Sequence, residues 1–94
     1  MKKIAVKEFK ELYQTSEITV LDVREKREFQ DGHIPTAKNY PLSTLEKEYA
    51  ILSPNKKYYV ICQGGMRSAR ACQFLEGKGF DVTNVEGGMN QWQA

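Results

Sequence analysis

The sequence has few of the residues that build metal clusters and disulfide frameworks. Its 94 residues include two cysteines and one histidine. Two cysteines in a chain with no apolar leader do not indicate a disulfide framework. One histidine and two dispersed cysteines offer no cluster of ligands, so we expect no metal site.

Long apolar runs are also missing. Two lysines follow the initial methionine, as in a signal peptide, but Lys7, Glu8 and Lys10 interrupt the apolar segment that would have to follow. No run approaches the length of a membrane span. We therefore expect a cytoplasmic protein with no membrane partner.

The charges show no strong imbalance. Fourteen basic and 12 acidic residues give a net charge of +2. Basic residues stand next to acidic ones, as in Arg24-Glu25 and Arg27-Glu28. This alternation is typical of solvated helix faces rather than of a surface that binds polyanions, so no nucleic-acid partner is expected.

Strand and helix patterns alternate along one domain, residues 1–94. Apolar and β-branched runs predict strands at residues 4–6, 18–23, 37–40, 58–62 and 80–85. Helical spacing and turn residues predict helices at residues 6–13, 24–30, 43–50 and 68–78 and a short one at the carboxyl terminus. Ser43 and Glu46 have the spacing of a capping box at the start of the third major helix. The pattern predicts an α/β fold with a mostly parallel central sheet of about five strands and helices on both faces.

Residues 62–68, Cys-Gln-Gly-Gly-Met-Arg-Ser, are the most informative stretch. Cys62 ends a predicted buried strand, and ligands of α/β sheets bind at that edge. Gly64 and Gly65 allow a sharp turn into a helix, whose free N–H groups can converge on an anion. A helix amino terminus and the nearby Arg67 both lower a thiol pKa. We therefore interpret Cys62 as a nucleophilic thiolate; the alternative is a small residue that merely ends a core strand.

The length of this loop bears on its chemistry. Cys62 to Arg67 spans six residues, whereas cysteine-dependent phosphatases use a Cys-x5-Arg loop that is one residue longer. The shorter ring makes a smaller cradle. It suits one extra sulfur on the cysteine better than a tetrahedral phosphoryl group.

Four sequence motifs follow one another at residues 21–25, 28–41, 62–68 and 85–92. In this order they resemble the motifs of a single-domain rhodanese, a sulfurtransferase module, and the resemblance covers nearly the whole chain. Thr36 departs from it, because many relatives have glycine at this position of the central turn.

The resemblance implies a two-step transfer with no metal or organic cofactor. Cys62 takes a sulfane sulfur from thiosulfate, a persulfide or a polysulfide and passes it to a thiol or to cyanide. The residues implied to bind the transferred sulfur or its donor are Gln63, Gly64, Gly65, Met66, Arg67 and Ser68. Arg67 would attract the anionic donor, and Asp22 and Arg24 would hydrogen-bond the loop as its support.

The implied partners are a small sulfur donor and a thiol acceptor, which could belong to a thioredoxin-like or sulfur-carrier protein. We expect a monomer. Arg67 is the only full charge among residues 62–68, since Gln63 and Met66 are uncharged. We therefore expect persulfides or polysulfides to serve at least as well as thiosulfate.

Three other functions remain open from the sequence. They are a phosphatase or arsenate reductase, a non-catalytic sulfur-carrier or binding module, and a thiol redox sensor that pairs Cys62 with Cys72. Core packing is the favoured interpretation for Cys72, which shares a helix face with Ala69 and Leu75. The single histidine, His33, is expected to brace a turn.

Overall fold

A computed structural model describes residues 1–93 and contains one five-stranded sheet. The strands are β1 (Lys2–Ala5), β2 (Thr19–Asp22), β3 (Lys38–Asn39), β4 (Lys57–Ile61) and β5 (Asp81–Glu86). The helices are α1 (Val6–Thr15), α2 (Lys26–Gln30), α3 (Leu45–Glu48), α4 (Met66–Gly77) and α5 (Gly88–Trp92). Within residues 1–93, none of these helices is long and apolar enough to cross a bilayer.

Every strand pair is parallel, in the order β1-β5-β4-β2-β3. Side chains of the three central strands alternate between two apolar cores, one on each face of the sheet. One core includes Leu21, Val60 and Val82 with Ala71, Cys72 and Leu75 of α4; the other includes Val20, Ile61 and Val85 with Val6 and Phe9 of α1 and Met89 of α5. The predicted parallel sheet with helices on both faces is confirmed.

The strand register brings the chemically interesting residues to one edge. Asp22 at the end of β2 pairs with Ile61 at the end of β4. The Val23 N–H donates to the carbonyl oxygen of Ile61 at 3.0 Å, which extends the ladder by one residue. Arg24 and Cys62 therefore both leave the sheet at its carboxyl edge.

Helix α4 begins two residues before the predicted start at Ser68. Gly65 precedes it with φ of 106°, a left-handed conformation that favours glycine. Arg67 and Ser68 consequently lie in the first turn of the helix, where backbone N–H groups have no partner within the helix.

The predicted capping box at Ser43 and Glu46 is wrong. Ser43 lies within a 3-10 turn, Leu42–Thr44, and its hydroxyl donates to Glu25 Oε1 at 2.7 Å. The capping box is at α2, where the Glu25 side chain caps Glu28 and the Glu28 carboxylate accepts from the Glu25 N–H at 3.0 Å. Ser43 does not cap a helix because the backbone has already turned before it. The Leu45 N–H donates to the Leu42 carbonyl oxygen, and this bond places Ser43 inside the 3-10 turn.

Candidate active site

Cys62 lies directly after β4, with its sulfur enclosed by the following loop. The side chain is 1% exposed. The Gly65 N–H donates to Cys62 Sγ at 3.0 Å, and Ser68 Oγ lies 3.3 Å from the same sulfur. Two of the residues predicted to line the sulfur, Gly65 and Ser68, therefore contact it directly.

These contacts decide the ionisation of the thiol. Burial raises the pKa of Cys62, but hydrogen bonds from the Ser68 hydroxyl and from the N–H groups of Ser68, Gly65 and Gly64 outweigh it. The pKa of Cys62 therefore lies below the ordinary value for cysteine. The amino terminus of α4 acts in the same direction, because its partial positive charge favours an anion.

The Ser68 hydroxyl is the contact that can respond to ionisation. It lies 3.1 Å from the Gly65 carbonyl oxygen and 3.3 Å from Cys62 Sγ. A hydroxyl carries one proton and can rotate. It can therefore donate to the carbonyl when the thiol is protonated and to the sulfur when the thiolate forms.

We expect Ser68→Ala to raise the pKa of Cys62 and to slow its alkylation by iodoacetamide at neutral pH about tenfold. A hydrogen bond to a charged group contributes about 1.5 kcal/mol, which corresponds to that factor. The reaction rate rises with pH as the thiol ionises, so the rising limb should move to higher pH in the variant. At high pH, where both proteins are fully ionised, the two rates should converge.

Ser43→Ala is the matched control, since its exposed hydroxyl bonds to Glu25 and not to the thiol. Its pH profile should coincide with that of the parent. An unshifted profile for Ser68→Ala would show that the hydroxyl does not stabilise the thiolate.

The amino terminus of α5 holds the start of the loop from the other side. The N–H groups of Met89 and Asn90 donate to the carbonyl oxygens of Cys62 and Gln63 at 2.9 and 3.0 Å. The Asn90 side chain also accepts from Gln63 Nε2 at 2.6 Å. This approach requires glycine at position 88, where a Cβ atom would lie 2.4 Å from the Cys62 carbonyl oxygen.

The underside of the loop is held by β5. Asn84 Nδ2 donates to the Gly65 carbonyl oxygen at 3.3 Å, and the side chain is buried. No role was predicted for Asn84 or for Asn90. Asn90 lies inside the fourth motif, residues 85–92, so the sequence did contain a signal for it. Asn84 is a single polar residue within a predicted strand, and no sequence signal marked it.

Asp22 and Arg24 support the loop in a different way from the one predicted. The Asp22 carboxylate accepts from the Arg24 guanidinium at 2.8 to 3.1 Å and from the Arg24 N–H at 3.0 Å. Arg24 Nη1 then donates to Gln63 Oε1 at 3.2 Å. Arg24 touches the loop and Asp22 acts through Arg24, because the end of β2 buries the carboxylate beneath the guanidinium.

The burial of Arg24 corrects its interpretation as part of a solvated face, whereas the neighbouring Glu25 is exposed. Arg24 is 4% and Asp22 is 0% exposed. Arg24 also donates to the Gly32 carbonyl oxygen at 2.8 Å. Asn39, for which no role was predicted, closes the arrangement by donating to the carbonyl oxygens of Asp22 and Arg24, both at 2.9 Å.

Arg67 of the loop is engaged by Glu28 of α2. Its two terminal nitrogens donate to the two carboxylate oxygens at 2.6 and 2.9 Å. The Arg67 hydrogen bonds lower the pKa of Glu28 to about 2, and Glu28 in turn raises the pKa of Arg67. The pattern of adjacent charges in the sequence did not indicate this ion pair between α2 and α4.

The other singled-out residues lie apart from this chemistry. Cys72 lies on the face of α4 that packs into the core and is fully buried, and burial raises its pKa to about 12. His33 Nδ1 donates to the Phe29 carbonyl oxygen at 2.7 Å, and the two rings stack 3.7 Å apart. Residues 1–93 contain no group of three or more His, Cys, Asp or Glu side chains placed to hold a metal ion.

A parallel sheet that seats a cysteine in a ring of amides at its carboxyl edge defines a small α/β protein with an activated thiol. Residues 5–94 match the family model of the Rhodanese-like domain. The chain therefore belongs to the rhodanese-like family of sulfurtransferases.

Individual relatives agree with this assignment. The Bacillus subtilis protein YtwF is 36% identical over 94 residues, covering 99% of this chain and 91% of YtwF. The thiosulfate sulfurtransferase GlpE of Pseudoalteromonas translucida is 29% identical over 99 residues, covering 99% of this chain and 90% of GlpE. The crystal structure of a rhodanese-like domain protein from Staphylococcus aureus has 40% identity and a TM-score of 0.93, covering 98% of this chain and 91% of that one.

Proposed function

We propose that this protein moves a sulfane sulfur from a donor to a thiol acceptor through a persulfide on Cys62. The observation that carries the proposal is the sulfur itself: a buried thiol within 3.0 Å of the Gly65 N–H and 3.3 Å of the Ser68 hydroxyl. Donors at these distances stabilise an anion on sulfur. They favour thiolate before transfer and a terminal persulfide anion after it.

In the first half of the reaction the Cys62 thiolate attacks the outer sulfur of the donor. A new S–S bond forms, the donor's own S–S bond breaks, and its electron pair leaves with sulfite from thiosulfate or with a thiolate from a persulfide. The total charge is conserved and no external oxidant is consumed. The remaining free N–H groups of the first turn of α4 are available to bind the new terminal sulfur.

In the second half an acceptor thiolate attacks that terminal sulfur. The Cys62–sulfur bond breaks, the electron pair returns to Cys62, and the acceptor leaves as a persulfide. Cyanide would leave as thiocyanate by the same displacement. We place the reaction in the cytoplasm, where thiol acceptors are kept reduced.

The test is the mass of the intact protein after exposure to a persulfide or to thiosulfate. We expect a gain of one sulfur atom that disappears on treatment with excess thiol. Cys62→Ser should abolish the gain. Cys72→Ser should retain it, because Cys72 lies in the core with its pKa raised to about 12.

Three results would contradict the proposal. Sulfur uptake by Cys62→Ser would place the persulfide elsewhere. A persistent Cys62–Cys72 disulfide in place of the persulfide would favour a redox sensor. Turnover of an aryl phosphate by the purified protein would favour a phosphatase despite the six-residue loop.

A further inference from the structure

The ion pair between Arg67 and Glu28 has no part in the transfer steps described above, yet Arg67 belongs to the loop of residues 62–68 that holds the thiol. Arg67 carries the only charged side chain among residues 62–68. Both of its terminal nitrogens are bonded to Glu28, at 2.6 and 2.9 Å. The guanidinium of the loop and the carboxylate of α2 together have no net charge.

The carboxylate of Glu28 is anchored on its own side as well. Its Oε1 also accepts from the Glu25 N–H at 3.0 Å, as part of the capping box of α2. A two-pronged guanidinium–carboxylate pair is a strong and directional contact. Glu28 is therefore held in place from both α2 and α4, and a ligand that needs Arg67 must compete with it.

The side chains of Arg67 and Glu28 are 35% and 36% exposed. This half-buried position keeps the pair accessible to an incoming donor while water and salt screen it only in part. Any anion that approaches the guanidinium also approaches the carboxylate. The repulsion grows with the charge of the donor.

We propose that Glu28 is a specificity-determining residue that disfavours dianionic donors such as thiosulfate and leaves singly charged persulfides as the preferred class. The inference rests on the proposed function. A persulfide can deliver its reacting sulfur to the amide cradle of Cys62 without a second anionic group to place. Thiosulfate must also find a place for its anionic sulfonate group. The cation of the loop that could bind this group is Arg67, and both of its terminal nitrogens are already bonded to Glu28.

A first experiment reports on charge at the loop without any sulfur transfer. Iodoacetate and iodoacetamide alkylate thiolates by the same displacement, but iodoacetate carries a negative charge. We expect Glu28→Gln to raise the ratio of the iodoacetate rate to the iodoacetamide rate at Cys62 about fivefold, because one nearby negative charge is removed. Using the ratio cancels any change in the pKa or exposure of the thiol.

The matched control is Glu76→Gln, which removes the same charge near the far end of α4. It lies nine positions beyond Arg67 on the helix, or about 14 Å along the axis. Its rate ratio should equal that of the parent. An equal ratio for Glu28→Gln and the parent would overturn the proposal.

A second variant, with the opposite expected change in the rate ratio, keeps the test valid if Glu28→Gln does not fold. Arg67→Gln leaves the Glu28 carboxylate without its counter-charge, so the rate ratio should fall at least threefold below that of the parent. If this ratio stays unchanged, the pair does not control the approach of anions, and the proposal fails.

The second experiment compares steady-state kcat/KM for thiosulfate and for a small-molecule persulfide. We expect Glu28→Gln to improve the thiosulfate value about fivefold, chiefly through KM, and to change the persulfide value less than twofold. A lower thiosulfate value would show that Glu28 positions Arg67 for the donor, contrary to the proposal. If the alkylation ratio shifts but no variant takes up sulfur, the proposed function fails while the charge effect of Glu28 stands.

Discussion

Gly88→Ala is expected to destabilise the protein by about 2–5 kcal/mol. A side chain at this position would place Cβ 2.4 and 2.6 Å from the carbonyl oxygens of Cys62 and Gln63. Both obstructing atoms belong to the backbone, so a rotamer change cannot relieve the clash. Gly88 also has φ of 56°. The left-handed conformation costs an ordinary residue about 1–2 kcal/mol, and overpacking adds about 1–3 kcal/mol.

The effect should also reach the active loop. The same two carbonyl oxygens accept from the N–H groups of Met89 and Asn90. Alanine at position 88 must therefore push α5 away from residues 62 and 63. We expect slower alkylation of Cys62 in whatever fraction of the variant remains folded.

Substitutions at two other glycines separate the cost of the left-handed conformation from the cost of the clash. Gly79 has φ of 92° and open space within 4 Å of the point where a Cβ atom would stand, so Gly79→Ala should show the conformational cost alone, about 1–2 kcal/mol. Gly77 lies at the end of α4 with open space around it, so Gly77→Ala should be neutral or stabilising by up to about 1 kcal/mol. Urea unfolding measures all three. A loss for Gly88→Ala no larger than that for Gly79→Ala would exclude the clash.

Local rules were enough to predict the cradle around Cys62. The cradle is built from consecutive residues: the end of a strand, a cysteine, two glycines and the start of a helix. The backbone conformation of each depends mainly on its neighbours in the sequence. Gly65 has the positive φ that the turn requires, and its N–H reaches the sulfur. The alternation of strands and helices was likewise sufficient for the parallel sheet, since parallel strands need crossover connections.

Charge partners were not predictable in this way. Glu28 and Arg67 are 39 positions apart in sequence and meet only because α2 and α4 both lie at the carboxyl edge of the sheet. In the sequence, the buried Arg24 stands next to an acidic residue just as solvent-exposed arginines do, so the pattern does not distinguish them. The sequence contains the charges, but the tertiary fold decides which of them are paired and buried.

Thr36 shows a third kind of limit. It was noted as a departure in the central turn, and the structure gives it φ of 76°, the one non-glycine residue with positive φ among residues 1–93. A β-branched residue rarely adopts this region. A positive φ is the conformation that favours glycine, so the departure noted at Thr36 falls where the backbone is strained, which the sequence alone could not show.

Arg24→Met is expected to cost about 3–5 kcal/mol, because it leaves the fully buried Asp22 carboxylate without its counter-charge. The carbonyl oxygen of Gly32 and the side chain of Gln63 lose a donor as well. Arg27→Met is the control on the neighbouring helix, where an exposed arginine should contribute less than about 0.5 kcal/mol. Chemical denaturation gives both values.

Removing both charges of the pair tests the same explanation more sharply. Asp22→Asn and Arg24→Met in one chain eliminate the unpaired buried carboxylate that makes the single Arg24→Met variant unstable. The amide introduced at position 22 would still offer an oxygen to the N–H of residue 24, which donates to the Asp22 carboxylate at 3.0 Å in the parent. The double variant should therefore be more stable than the sum of the two single losses predicts, by about 0.5–3 kcal/mol, the range for groups in one hydrogen-bonded network. Strictly additive losses would mean that Asp22 and Arg24 stabilise the fold independently, and that the guanidinium is held by Gly32 and Gln63 rather than by the carboxylate.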